Sequence, residues 1–277
     1  MENIQTMKAK RIEKTFEDLR QKNEKALVGF LSAGDPDIKT SLKIIESMCK
    51  AGLDIMELGI PFSDPTADGP VIQKSSARAL KNGVNIKAVL EMTCSIRGFS
   101  DIPIILFTYY NPIHSYGAEA FYNDALSADA DGLLVVDLPP EESDEMTSKW
   151  PGNELALIRL VAPTTPPERM KKISSSASGF IYLVSKTGVT GSDGLNTDDI
   201  AVHANLLRSV TKLPICVGFG ISTPEDVKRI APHADGIVIG SAFERIIEEN
   251  LGNPGINEIL GEQVSRLKKA TTSSTRR

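Results

Sequence analysis

Residues 55–82 have the sequence IMELGIPFSDPTADGPVIQKSSARALKN, which is an apolar run, a turn-rich loop and an amphipathic segment in succession. The apolar run is short and nearly continuous, as is typical of a parallel strand that is covered on both faces. The loop is rich in Pro, Asp and Gly, and Pro70 opens the segment with helical spacing. This stretch therefore predicts one strand, one loop and one helix.

The same succession recurs about every 25 to 30 residues along the chain. The predicted strands are Ala26 to Leu31, Ile55 to Leu58, Ile102 to Phe107, Gly132 to Val136, Leu155 to Val161, Phe180 to Val184, Ile215 to Val217 and Gly236 to Ile239. The predicted helices between them are Pro36 to Ala51, Pro70 to Asn82, Asn85 to Gly98, Ala118 to Ser127, Glu141 to Trp150, Pro166 to Ser175, Asp198 to Thr211 and Thr223 to Ala231. A helix from about Ile12 to Gln21 precedes the first strand, and Pro254 to Ala270 closes the chain.

Eight strand and helix units in 277 residues favour a closed α/β architecture, the (β/α)8 TIM barrel, which needs about 250 residues. An open doubly wound sheet would usually carry a Gly-rich dinucleotide turn after its first strand. Here that strand leads into Ser32-Ala-Gly-Asp-Pro36, which has no G-x-G-x-x-G. Without a low-complexity linker, we expect a single domain over residues 1–277, with an additional N-terminal helix, a barrel over about 25–270 and a disordered basic tail over 271–277.

Composition restricts the classes of function. The chain has 31 basic and 36 acidic residues, a formal charge of -5 and no basic stripe, so a nucleic-acid partner is not expected. No apolar run is long enough to cross a bilayer, and Met1 to Lys22 does not resemble a secretory signal, so we expect a cytoplasmic protein without membrane contact. The cysteines and histidines are dispersed, and neither a disulfide framework nor a metal site is expected.

In a barrel, functional residues lie where strands end. Glu57 lies in an apolar strand, and because a carboxyl group is costly to desolvate there, we expect it to have a chemical role. The alternative is a buried Glu paired with a lysine or with backbone amides.

Glycine clusters follow the sixth, seventh and eighth strands, in Gly188-Val-Thr-Gly191, Gly218-Phe-Gly220 and Gly240-Ser241. Glycine leaves backbone amides accessible, and a short helix starting near Ser241 would add its positive end. Glycine also simply makes turns, but three clusters on adjacent loops predict a phosphate site that includes Gly191, Gly220, Gly240 and Ser241.

Six strings resemble the tryptophan synthase alpha chain family, in the same order and at similar spacings. They are FLSAGDP at 30–36, ELGIPFSDPTADGP at 57–70, YYNP at 109–112, DLPPEE at 137–142, GVTG at 188–191 and GFGIS at 218–222. The resemblance extends from about Phe16 to Leu267. It implies a carbon-carbon lyase of tryptophan biosynthesis, which cleaves indole-3-glycerol phosphate to indole and glyceraldehyde 3-phosphate without a metal or a covalent intermediate.

The same resemblance makes Glu57 and Asp68 the catalytic carboxyl groups. Desolvation should raise the pKa of Glu57, so that it can protonate the indole ring carbon and then accept the side-chain hydroxyl proton. Asp68 is expected in more polar surroundings, where it stays ionised, stabilises the positive ring nitrogen and removes its proton. Asp64 is interpreted as a loop-organising side chain or a partner contact.

The resemblance also assigns an indole pocket and a lid. The pocket walls would be Phe30, Ile72, Phe107, Leu134 and Phe219, each of which could equally be plain core. Tyr182 matches a position beside the catalytic Glu and could hydrogen-bond it, or it could belong to the barrel core. Thr190 matches the lid residue that closes on Asp68. Lys186 stands where many members have arginine, so closure of that loop is expected to differ in detail.

The resemblance implies a beta chain as partner, in an alpha2-beta2 heterotetramer, with pyridoxal phosphate in the beta chain and no cofactor in this chain. The loop from Pro61 to Asp68 and the region from Tyr110 to Pro112 resemble surfaces that meet it. Two other classes of function remain open. A non-catalytic activator would be favoured by loss of either carboxyl group, and another phosphate-binding barrel enzyme, such as an isomerase or prenyl transferase, would keep the glycine clusters but not the paired carboxyl groups at this spacing.

Overall fold

The computed structural model describes residues 8–185, 197–218 and 220–272, with side chains from residue 11 onward within these ranges. Eight parallel strands follow one another around a closed barrel, and the last strand pairs with the first. The strands are β1 Ala26–Ser32, β2 Ile55–Gly59, β3 Ile104–Thr108, β4 Gly132–Val135, β5 Ala156–Val161, β6 Ile181–Val184, β7 Ile215–Gly218 and β8 Gly236–Ile239. The predicted (β/α)8 barrel is confirmed.

Helices surround the barrel. They are α1 Lys8–Gln21, α2 Ile38–Lys50, α3 Pro70–Lys81, α4 Ile86–Arg97, α5 Tyr110–Tyr116, α6 Ala118–Ser127, α7 Asp144–Thr147, α8 Pro167–Ser175, α9 Thr197–Val210, α10 Pro224–Ile230, α11 Ser241–Glu249 and α12 Ile256–Ala270. Asp37 and Asn85 cap α2 and α4 by accepting hydrogen bonds from backbone amides of the first turn. Within the described ranges, none of these helices combines the length and the apolar character that crossing a membrane requires. The tail from residue 273 lies outside the described residues.

Two segments differ from the prediction. The helix predicted over Glu141 to Trp150 is confined to α7, four residues long, because turns with i to i+3 hydrogen bonds flank it and Pro151 disfavours helical geometry at Trp150. Conversely, α5 forms where a loop was predicted after the third strand. Pro112 lies in its first turn, where the missing N–H of proline would have no helical partner anyway.

Side chains inside the barrel form an apolar cluster of their own. Its members from the strands include Val28, Ile55, Ile105, Leu134, Ile158, Tyr182, Cys216 and Val238. The helix α1 covers the end of the barrel at which the strands begin. Its Phe16 packs edge to face on Phe180, with the ring centroids 6.0 Å apart. Since side chains two residues apart on a strand share a face, Glu57 points inward like Ile55, nearer the carboxyl end.

The amino-terminal edge of the barrel carries a network of ion pairs. Asp131, fully buried, accepts hydrogen bonds from Arg11 Nη1 of α1 at 2.6 Å, from the Ile104 amide at 2.8 Å and from Arg97 Nη2 of α4. Arg11 also binds Asp129, at 2.9 Å between Nη2 and Oδ2. These contacts fix two helices to the bottom of the barrel.

Candidate active site

The candidate site is a cavity at the carboxyl ends of β1, β2 and β3. The empty space between its walls, including space open to solvent, is about 280 Å³. It is lined by Phe30, Ser32, Gly59, Ile60, Pro61, Phe62, Pro65, Asp68, Ile72, Ser76, Phe107, Thr108 and Tyr109. Four of these residues were predicted from the sequence, namely Phe30, Asp68, Ile72 and Phe107. The cavity lies where a barrel places its functional residues.

The walls of the cavity are aromatic. The rings of Phe30 and Phe107 meet edge to face, with centroids 5.0 Å apart and planes at 74°. A Cβ atom on Gly59 would lie only 2.7 Å from Cζ of Phe30, so glycine is required there for the ring to lie across the strand. The rings of Phe62 and Tyr109 pack against each other with their centroids 5.3 Å apart. Such walls suit a flat apolar ring.

Glu57 lies in β2 between Phe30 of β1 and Ile105 of β3. Only 1% of the residue is exposed, and its Oε1 has no hydrogen-bond partner among the residues that the structure describes. Burial raises the pKa of Glu57 to about 8. The carboxyl group therefore carries a proton at neutral pH. This geometry supports the chemical role over the alternative of a Glu held in a structural pair.

Asp68 lies in the loop between β2 and α3 and is half-buried. Its Oδ2 accepts a hydrogen bond from the Tyr109 hydroxyl at 2.8 Å, and that hydroxyl accepts one from the Ala67 amide at 3.0 Å. Burial raises the pKa of Asp68, and the Tyr109 hydrogen bond opposes this. The surroundings of Asp68 are thus more polar than those of Glu57. Tyr109 was not predicted as a site residue, although it directly follows the third strand.

Tyr182 and Leu134 belong to the apolar cluster inside the barrel, beneath the cavity. The Tyr182 hydroxyl lies over Gly218, where a Cβ atom would be 2.2 Å from it. Burial raises the pKa of Tyr182 well above its usual value, and the negative charges of Glu57 and Asp68 act in the same direction. Neither residue is among those that line the cavity, although Leu134 pairs across the sheet with Phe107, which does line it. The roles of Tyr182 and Leu134 in an indole pocket stay predictions.

The predicted phosphate residues lie partly within the described chain. Gly240 directly precedes α11, and Ser241 is its first residue. A Cβ atom on Gly240 would lie 3.4 Å from Cβ of Phe30, so the start of this helix adjoins the aromatic wall. Gly220 is exposed, with φ of 76°, a backbone conformation that favours glycine. Four further predicted residues lie outside the described residues, and these are Lys186, Thr190, Gly191 and Phe219.

Asp64 is exposed and accepts a hydrogen bond from the Ser63 hydroxyl at 2.6 Å, which supports its interpretation as a loop-organising side chain. Among the described residues, no group of three His, Cys, Asp or Glu side chains is placed to hold a metal ion. The site instead combines a buried, neutral carboxyl group, a half-buried carboxyl group and an apolar slot. Such a pair suits proton transfer to and from an aromatic ring.

Comparisons with known proteins agree with this geometry. A family model described as tryptophan synthase alpha chain matches residues 16–272. The tryptophan synthase alpha chain of Desulfosudis oleivorans is 63% identical over 261 residues, which are 94% of this chain and 98% of that protein. The one of Desulfatibacillum aliphaticivorans is 61% identical over 260 residues, again 94% and 98% of the two chains. A crystal structure of tryptophan synthase subunit alpha from Legionella pneumophila superposes with a TM-score of 0.86 at 38% identity, covering 94% of this chain and 98% of that one.

Proposed function

The chain belongs to the tryptophan synthase alpha chain family, and we propose on that premise that Glu57 and Asp68 are the acid and base of its reaction. The chain is a lyase that cleaves indole-3-glycerol phosphate to indole and glyceraldehyde 3-phosphate in tryptophan biosynthesis. One observation carries the proposal most directly. Burial raises the pKa of Glu57 to about 8, and Glu57 pairs across the sheet with Phe30, which lines the same apolar slot as the second carboxyl group, Asp68.

Glu57 acts first as a general acid. The bond between the ring and the side chain breaks only when the ring carbon has been protonated, because the indole anion is a very poor leaving group. Glu57 is neutral at pH 7 and lies beside the Phe30 wall, so it delivers this proton. The resulting carboxylate then accepts the proton of the side-chain hydroxyl as that carbon becomes an aldehyde, and Glu57 returns to its neutral form.

Asp68 acts on the ring nitrogen. Protonation of the ring carbon places positive charge on that nitrogen. A carboxylate beside it stabilises the charge by taking up the N–H proton, and returns this proton to the nitrogen as the carbon-carbon bond breaks and indole forms. The hydrogen bond from Tyr109 leaves Oδ1 of Asp68 for the substrate and fixes the orientation of the group. Because this hydrogen bond also opposes the rise in pKa, it favours the ionised form that the step needs.

The phosphate group of the substrate would bind at the start of α11. Gly240 and Ser241 would supply backbone amides at the positive end of that helix, and Gly220 follows β7, which pairs with β8. Gly191 completes the predicted set. The proximity of Gly240 to Phe30 supports a phosphate end beside the aromatic slot, as a substrate with an indole ring and a short phosphorylated chain requires.

Membership of the family implies partnership with a beta chain. We propose that the assembly is an alpha2-beta2 heterotetramer in the cytoplasm and that pyridoxal phosphate is bound by the beta chain, with no cofactor in the present chain. The exposed Asp64 of the loop from Pro61 to Asp68 and the exposed Asn111 at the start of α5 support a partner surface there. We further propose that residues 1–277 form one domain.

The test is indole release from indole-3-glycerol phosphate by the purified chain, alone and with a tryptophan synthase beta chain. We expect slow release alone and a sharp rise with the partner, because binding orders the loops around the site. Indole-3-glycerol without the phosphate is the control and should react poorly. A folded protein that releases no indole in either condition, yet raises the activity of the beta chain, would instead be an activator.

A further inference from the structure

A second buried glutamate lies close to the site. Glu244 is in the first turn of α11 and is completely buried. Its Oε1 accepts a hydrogen bond from the Ser32 amide at 2.5 Å, across 212 residues of sequence. Its side chain also lies beside the Asp35 carboxyl group, with which a protonated Glu244 shares a hydrogen bond. A carboxyl group that is buried beside a second carboxyl group and bound to a distant backbone amide is costly, and the cost implies a specific role.

Ser32 connects this glutamate to the cavity. It is the last residue of β1, it lines the cavity, and its hydroxyl oxygen lies 2.6 Å from that of Ser75 in α3. The helix α11 packs against both β1 and α3. The hydrogen bond from the Ser32 amide therefore links α11, which starts at the proposed phosphate end, to β1, which contains Phe30.

The surroundings of Glu244 favour its protonated form. Burial raises its pKa well above the usual value, and the neighbouring Asp35 carboxylate acts in the same direction. Asp35 is itself bound by both Nε and Nη2 of Arg78, each at 2.7 Å. A neutral Glu244 places no negative charge within one turn of the helix start, where it would repel a phosphate.

We propose that Glu244 is a positioning residue, which fastens α11 to the end of β1 and so sets the phosphate end of the site against the indole slot. Glu244 does not touch the substrate. It fixes Gly240 and Ser241, which do. The inference rests on the proposed function, because it assigns the phosphate of the substrate to the start of α11.

The first experiment compares two substitutions of similar length. Glu244→Gln keeps a neutral side chain whose amide oxygen can accept the Ser32 hydrogen bond, whereas Glu244→Met removes the acceptor. We expect Glu244→Met to raise KM for indole-3-glycerol phosphate about tenfold, as for the loss of one buried hydrogen bond, with kcat changed less than about twofold. Glu244→Gln should retain both constants.

The second experiment separates the two halves of the substrate. Inhibition by glycerol 3-phosphate reports the phosphate end, and inhibition by indole reports the slot. Glu244→Met should weaken inhibition by glycerol 3-phosphate about tenfold and leave inhibition by indole unchanged. Glu248→Gln is the matched control, since Glu248 lies one turn further along α11 and forms an ion pair with Lys74 at the surface, at 2.7 Å. It should change neither.

Three results would overturn the inference. The first is an unchanged KM in Glu244→Met, and the second is an equal rise of KM in Glu244→Gln. The third is an equal weakening of inhibition by indole and by glycerol 3-phosphate. If Glu244→Met does not fold, Glu244→Leu also removes the acceptor and provides the comparison. Absence of indole release by the unsubstituted chain would contradict the proposed function instead, and glycerol 3-phosphate binding would still test Glu244.

Discussion

The two ends of the barrel bury carboxyl groups in opposite ways. At the amino-terminal edge, Asp131 accepts hydrogen bonds from two arginines and a backbone amide, and the charges of Arg97 and Arg11 oppose the rise in its pKa that burial causes. At the carboxyl edge, Glu57 has an oxygen without a partner among the described residues, and burial alone raises its pKa to about 8. The paired group holds helices in place, while the unpaired one lowers stability and can exchange a proton.

The largest effect should come from Glu57→Gln. The amide keeps the shape of the side chain but cannot give a proton to the ring, so we expect kcat to fall about 10⁴-fold. Inhibition by glycerol 3-phosphate should be unchanged, because the phosphate end does not depend on Glu57. A near-normal rate of indole release would show that another group is the acid.

The stability of Glu57→Gln and that of the unsubstituted chain should also depend differently on pH. The pKa of Glu57 is raised from 4.5 to about 8 on folding, so the folded chain binds a proton that the unfolded chain releases. Stability therefore falls by about 1.4 kcal/mol for each pH unit between these values and levels off above pH 8. Glu57→Gln should unfold at a higher temperature than the unsubstituted chain at pH 8, with no such advantage at pH 4. In the unsubstituted chain, kcat should fall as the pH rises through about 8.

Asp68→Asn should have the next largest effect. The amide cannot neutralise the positive ring nitrogen or remove its proton, and we expect kcat to fall about 10³-fold. Because Asp68 is half-buried in a loop, the melting temperature should change little. Single-turnover measurement of indole release would check this, and retention of the normal rate would remove Asp68 from the mechanism.

Asp131→Asn addresses the opposite end of the barrel. It leaves the guanidinium groups of Arg97 and Arg11 without their buried counter-charge, and we expect a loss of about 3 kcal/mol in the free energy of unfolding by denaturant. The kcat of the folded fraction should stay within about twofold. Asp129→Asn is the control, since its side chain is one-third exposed and its loss should be under about 1 kcal/mol. A fall in kcat without a fall in stability would contradict the division between the two ends.

Tyr109→Phe should have the smallest of these effects. It removes the hydrogen bond to Asp68, so kcat/KM should fall about tenfold. Because that hydrogen bond lowers the pKa of Asp68, the acid limb of the pH profile should move to higher pH. Tyr116→Phe removes a similar hydrogen bond to Asp124, of 2.6 Å, away from the cavity. It should leave the pH profile unchanged, and an equal shift in both variants would argue against a role for Tyr109.

The sequence predicts the barrel well because its signals are local. An apolar run can be recognised from its own residues alone. For example, β8 has the predicted bounds, Gly236–Ile239. Phe30 and Phe107, which the family resemblance predicts as walls of an indole pocket, both line the cavity, and their contact with indole stays a prediction. The helix predicted over Glu141 to Trp150 is confined to the four residues of α7, also for a local reason. Its composition favours a helix, but the flanking prolines do not.

Contacts across the barrel could not be predicted from the sequence. Tyr109 acts through Asp68, 41 residues earlier, and nothing in the spacing of the two residues marks them as neighbours. Glu244 has the pattern of an ordinary surface residue in a helix, and only the closed barrel brings it to Ser32. Such groups depend on which strands meet, and therefore on the tertiary fold rather than on the pattern of residues.

The junction between Glu244 and Ser32 has a consequence for biosynthesis of the chain. A ribosome makes Phe30, Glu57 and Asp68 early, but β1 has no neighbour on one side until β8 emerges, and the Ser32 amide has no acceptor until residue 244 has followed. Neither the slot nor the phosphate end can be complete before then. A polypeptide whose translation stops before β8 therefore lacks the closed barrel, and we expect that it does not compete with finished chains for indole-3-glycerol phosphate.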